Sequence, residues 1–141
     1  MDGSKAFNNL IFMIGIWEIY STQYLYVIAL GTLAIFGLPM LLSPIKWAKI
    51  LGWEIPTKTD LAVYFGRCLG GVICVMAVFA IKAVENKITT QYYFDFILCN
   101  FVMMVFIHIY GWIKQIQPIS ETLEILYWSG MIVLTLLFYP I

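Results

Sequence analysis

The 141 residues include eight basic and eight acidic side chains and a single histidine; 62% are hydrophobic and 11% charged. A typical soluble domain has about 25% charged residues, so this composition, with a mean hydropathy of +0.90, excludes a water-soluble domain and predicts an integral membrane protein. Zero net charge argues against nucleic acid as a partner, because phosphate backbones demand concentrated positive charge.

Met1 to Lys5 reads as a short polar lead. Ala6 to Tyr20 is apolar but interrupted by Asn8, Asn9 and Glu18, and it lacks the charged start and small-residue cleavage site of a signal peptide. It is too short and polar for a span, and predicts a helix lying in the interface with Trp17 and Tyr20 at headgroup depth. Fusion with the following helix is the alternative, with Ser21, Thr22 and Gln23 marking where a break would fall.

Tyr24 to Leu42 is the first predicted span, with Pro39 near its end, where a lost backbone bond is most easily accommodated. Ser43 and Pro44 suit the N-cap and first position of a short helix over residues 44–52. Lys46 and Lys49 share its polar side, and Trp47, Ile50 and Leu51 the other. That pattern predicts an amphipathic connector on the membrane surface. Gly52, Pro56 and the Thr57 to Asp60 stretch end it and cap the next span, residues 61–84.

This second span carries Arg67 about a third of the way through. Charge at such depth costs on the order of a few kcal/mol and marks a candidate functional site. Gly66, Gly70 and Cys74 follow a small-x-x-x-small pattern that lets helix backbones approach closely, within the bundle or between copies. Glu85 to Gln91 is a polar turn. A third span covers 92–113 and a fourth 123–139, separated by Lys114 to Ser120, with Ser120 expected as N-cap and Glu121 and Glu124 at the positive end of the helix dipole. Cys68, Cys74 and Cys99 form no metal-binding pattern and read as packing residues. No repeat or second domain is visible, so residues 1–141 form one transmembrane domain.

The expected fold is therefore all-α: an integral membrane four-helix antiparallel bundle with an N-terminal interfacial helix and a short amphipathic connector helix. Lys46, Lys49, Lys58 and Lys114 lie at one end and Lys5, Lys82 and Lys87 at the other. The positive-inside rule then places both termini on the non-cytoplasmic side.

Depth matching at 1.5 Å per residue puts Arg67, Tyr64, His108, Trp128 and Ser129 at about one height. Asn100, Met104, His108 and Gly111 share one face of the third helix. The functional reading is a pocket for the polar head of a lipophilic molecule, with Arg67, His108, Tyr64, Asn100, Trp128 and Ser129 as its candidate residues. The structural alternative is that Arg67 snorkels or pairs with Asp60 while His108 is a packing residue. Asp95 pairs with Lys82 or caps its helix. A bis-histidine haem is excluded by the single histidine, although one axial histidine to a haem or chlorophyll stays open. The spacing shows no carboxylate cluster, so no metal, catalytic residue or resident cofactor is expected, while a bound lipid or quinone is compatible with the pocket.

Leu42-Ser43-Pro44, the connector ending in Leu51-Gly52-Trp53, Asp60, and Tyr64-Phe65-Gly66-Arg67-x-Leu69-Gly70-Gly71 together resemble the DoxX-like group of small four-helix membrane proteins. The resemblance covers roughly residues 31–83. It implies the same architecture and an auxiliary role, since some members are linked to oxidoreductase or terminal-oxidase complexes, and it supplies no catalytic residues. Scarcity of catalytic groups leads to the same expectation: a non-catalytic accessory or assembly subunit of a larger membrane complex, a redox one by the resemblance, with membrane lipids and other subunits as partners. The alternative is a lipid-, quinone- or other amphiphile-binding or carrier protein using the Arg67 and His108 pocket. A membrane enzyme is the third reading, with His108 as its only plausible general base.

Overall fold

The computed structural model describes residues 13–141, and among these the chain is helical with no strand. Four helices are long and apolar enough to cross a membrane: α1 (Glu18–Leu42), α3 (Asp60–Ala83), α4 (Lys87–Lys114) and α5 (Ile119–Leu137). The connector α2 (Pro44–Ile50) joins the first two. The four long helices overlap the four expected spans, with the second ending at Ala83, the third beginning five residues earlier, at Lys87, and the fourth running from Ile119 only to Leu137.

The N-terminal expectation needs correction where it can be seen. Residues 6–12 of the expected interfacial helix lie outside the described residues, but Ile14 to Trp17 form turns rather than helix. Gly15 sits at φ 73°, a conformation that favours glycine and ends a right-handed helix. Its N–H donates to the Leu136 carbonyl and that of Trp17 to Leu137, both at 2.9 Å. A tight 3-10 turn, Glu18–Tyr20, then leads directly into Ser21 with no break at Ser21 to Gln23.

Within α1 the backbone widens into a π-helical stretch, Leu33–Gly37, just before Pro39. Proline has no N–H to return to the carbonyl four residues earlier, here that of Ile35. The Trp47 indole N–H on α2 donates to that carbonyl at 2.8 Å. The indole thus serves the carbonyl that proline leaves without its usual donor and joins the connector to the first long helix. Ser43 and Thr59 occupy N-cap positions but make no side-chain cap bond.

Helix α1 packs along α3, and α4 along α5. The small-residue stripe of α3 lies against α1 and the start of α2: Gly66 faces Pro44, Gly70 faces the backbone of Gly37 and Leu41, and Cys74 faces Gly37. These contacts are all within one chain. Hydrogen bonds tie the helix pairs together, including those of Thr89 and Thr90 of α4 to the Ala83 carbonyl at the end of α3. Tyr93 of α4 donates to the Met76 carbonyl of α3 at 2.7 Å, and Tyr24 of α1 meets Thr135 of α5 at 2.6 Å. A core of Tyr24, Leu25, Phe94, Ile97, Phe101, Trp128 and Met131 forms where α1, α4 and α5 meet. Ala29, Ala77 and Ala80 form a smaller one between α1 and α3.

Asn86 caps α4 by accepting from the Thr89 N–H at 3.0 Å. Asp95, expected to pair with Lys82 or cap its helix, instead accepts from the Tyr139 hydroxyl at 2.7 Å. At the opposite end Gln115 takes a left-handed conformation, φ 54°, and stops α4. The amide of Gln117 donates to the His108 carbonyl at 3.0 Å and to Thr122 Oγ1 at 3.1 Å, while its side chain occupies the space that a Cβ on Gly111 would need. This turn sets α5 against α4. Pro118, not Ser120, occupies the N-cap position of α5. The hydroxyl of Ser120 donates to the Leu51 carbonyl and so brings the connector loop to this end.

Candidate functional site

Between the helices lies a cavity of about 440 Å³, within the range of small-molecule sites, roughly 300–1,000 Å³. Its walls are apolar: Ile28, Phe36 and Met40 from α1, Val72 and Met76 from α3, Ile97 from α4, among others. Thr32 and Asn100 add isolated polar groups along the walls, and Trp47, Trp53 and Trp128 also line it.

One end of this cavity is strongly polar. His108 lies about two turns in from the Lys114 end of α4 and is 3% exposed. Its Nδ1 is 2.7 Å from the Met104 carbonyl. A carbonyl only accepts, so Nδ1 carries a proton and Nε2 faces away from its own helix. There it meets Glu121 Oε2 at 3.2 Å and Glu124 Oε2 at 3.4 Å. Both glutamates stand in the first two turns of α5, three residues apart and therefore on one face. Each is oriented by a tryptophan: Trp53 donates to Glu121 Oε1 at 2.8 Å, and Trp128 to Glu124 Oε2 at 3.0 Å. Ligand atoms of the three residues all lie within 4.8 Å of one another, a spacing from which, among the described residues, they could hold a metal ion.

Three candidate residues from the sequence, His108, Asn100 and Trp128, line this cavity. Arg67, Tyr64 and Ser129 do not. Arg67 is exposed on α3, and among the described residues no carboxylate, Asp60 included, lies within ion-pair distance of it. Tyr64 is exposed and rests edge-on against Phe65. The Ser129 hydroxyl bonds back to the Ile125 carbonyl of its own helix at 2.7 Å.

Glu121 and Glu124 are the residues that sequence reasoning missed, together with Trp53. Their place at a helix start reads as pairing with the helix dipole, and neither depth counting nor spacing along the chain brings them to His108. A usable signal is present: Glu121, Glu124 and Trp128 recur at i, i+3 and i+7 on the helix that follows His108 across one short turn. Charges repeated on one face of an apolar helix point inward.

Compared with known proteins, the chain matches no family model, no curated protein and no solved structure.

Proposed function

We propose that this chain is a multi-pass membrane protein, a four-helix antiparallel bundle, that binds an amphiphile within the bundle. The head lies at His108, Glu121 and Glu124, and the tail runs along the apolar wall towards Thr32 and Asn100. The observation that carries this reading is the cavity itself: one partly open space with mostly apolar walls and a cluster of ionisable side chains, His108, Glu121 and Glu124, gathered together in its lining. Such a division of chemistry matches a molecule with one polar and one apolar part. A lipid surround is supported by the outward faces, where Val27, Leu30, Leu61, Phe65, Tyr92 and Leu126 are each more than half exposed. In water so much contiguous apolar surface would drive association.

The ligand class favoured is a lipid or quinone-like molecule with hydrogen-bond donors on its head, because the two carboxylates and the imidazole Nε2 offer acceptors. An accessory place in a larger complex draws support only from the exposed apolar faces, which lipid covers equally well. The DoxX-like resemblance supports the four-helix architecture and leaves the ligand open.

Tryptophan fluorescence tests the binding reading, since three of the five tryptophans, Trp47, Trp53 and Trp128, line the cavity. Amphiphiles with nitroxide-labelled tails should quench emission saturably at one per chain, and Thr32→Phe, which fills the cavity, should remove the saturable component. Quenching that rises linearly in both proteins would reveal simple partitioning and overturn the reading.

A further inference from the structure

We propose that His108, Glu121 and Glu124 form a binding site for one divalent transition-metal cation of the zinc class, with its open coordination positions facing the cavity. The inference goes beyond the amphiphile reading and rests on it only in what those open positions would meet.

Because Nδ1–H of His108 is committed to the Met104 carbonyl, a neutral imidazole presents a bare lone pair at Nε2. That lone pair points at two carboxylate oxygens, 3.2 and 3.4 Å away. Three acceptors then face one another at a partly buried point; the Trp128 indole reaches Glu124 Oε2 from the side, and no donor lies between Nε2 and either carboxylate, an arrangement that favours positive charge at its centre. The other cations do not supply it: among the described residues no lysine or arginine is within ion-pair distance of either glutamate. A proton on Nε2 leaves the trio at a net charge of −1, whereas a divalent cation brings two carboxylates and a neutral imidazole to zero.

Spacing and surroundings agree. For metal–ligand bonds of about 2.1 Å, the donor atoms of a tetrahedral site are about 3.4 Å apart, close to both His108–Glu distances. Metal-bound histidine generally donates its second N–H to a carbonyl or carboxylate, and metal-bound carboxylates are themselves hydrogen-bonded. Here the Met104 carbonyl, the Trp53 indole and the Trp128 indole fill those positions. One imidazole and two carboxylates are too few oxygens for calcium, which takes about six to eight, and imidazole favours zinc, iron, copper or nickel over magnesium. Three protein ligands with an adjoining cavity resemble an open site, in which a water or a hydroxyl oxygen of the head, itself still a hydrogen-bond donor, completes the shell.

The test uses the full chain in mild detergent, stripped with chelator and titrated with Co2+ while visible absorption is recorded. One Co2+ per chain should bind, giving d–d bands that Zn2+ abolishes by competition. His108→Asn and Glu124→Gln should lose saturable binding, with helical content followed by circular dichroism. Trp53→Phe keeps all three ligands and should weaken binding about 10-fold through its lost bond to Glu121, while Arg67→Lys should bind as the parent does. A parent chain that binds no Co2+ saturably, or binds it equally well after Glu124→Gln, overturns the proposal. Quenching by labelled amphiphile in the stripped protein separates the two readings. Saturable quenching without metal binding leaves the cavity reading and ends this one; metal binding without saturable quenching does the reverse.

Discussion

His108 holds the polar end of the cavity together: its Nδ1–H is committed to the Met104 carbonyl at 2.7 Å, so Nε2 is left to face Glu121 and Glu124. Its burial and its place on a polar stripe with Asn100 and Met104 follow from periodicity alone, and all three line the cavity. Its partners do not follow, because Arg67 and His108 at equal depth can still face different ways. Depth counting supplies a height and leaves the rotation of each helix free. Arg67 turns outward, and the groups that meet His108 are the two glutamates one turn away in sequence. The Tyr24 to Thr135 bond joins α1 to α5 at 2.6 Å. Thr135 also lies 2.7 Å from the Met131 carbonyl, to which it donates, so Tyr24 is the donor to Thr135 and no group is orphaned when its hydroxyl is removed. Tyr24→Phe should therefore cost only about 1 kcal/mol, read as a small drop in the unfolding midpoint in detergent. A loss several times larger would mean that the hydroxyl holds more than this one contact.

Among the elements, α3 offers the sharpest contrast. Gly70 and Gly71 are neighbours in sequence and look alike in composition, yet a Cβ on Gly70 would come within 2.9 Å of the Gly37 carbonyl oxygen, and one on Gly71 meets nothing within 4 Å. Gly70→Ala should destabilise by roughly 1–3 kcal/mol through overpacking against α1, while Gly71→Ala should be neutral or slightly stabilising, since alanine favours the helix. Equal effects in a thermal or denaturant assay would mean that α1 and α3 do not pack as described. The small-residue spacing was legible in the sequence; which helix it meets was not, because the pattern fits contact within a chain and between chains equally. The Pro39, Ile35 and Trp47 arrangement was half legible in the same way. Proline announces a missing donor, and only the fold shows which indole replaces it.

For the molecule as a whole, length and hydropathy sufficed to find the four long helices, because a run of about 20 apolar residues has few other structural uses. The segment before α1 was harder to read, since the bonds of Gly15 to Leu136 and of Trp17 to Leu137 are made with residues far away in sequence, near the other end of the chain. Those bonds, with that of Gln91 to the Pro140 carbonyl, put Gly15, Gln91 and Pro140 at one end; Trp53 and Glu121 meet at the other. If the positive-inside rule governs this chain, thiol-labelling from the cytoplasmic side should modify a cysteine placed at Lys49 and spare one placed at Glu85; the opposite pattern would reverse the orientation and leave the cavity unchanged.

Native mass spectrometry of the chain released from lipid nanodiscs addresses the amphiphile-binding cavity most directly. One lipid- or quinone-sized molecule should remain bound per chain, persist in Arg67→Ala and be lost in Thr32→Phe. A bare chain, or an adduct that Thr32→Phe leaves in place, would contradict the account.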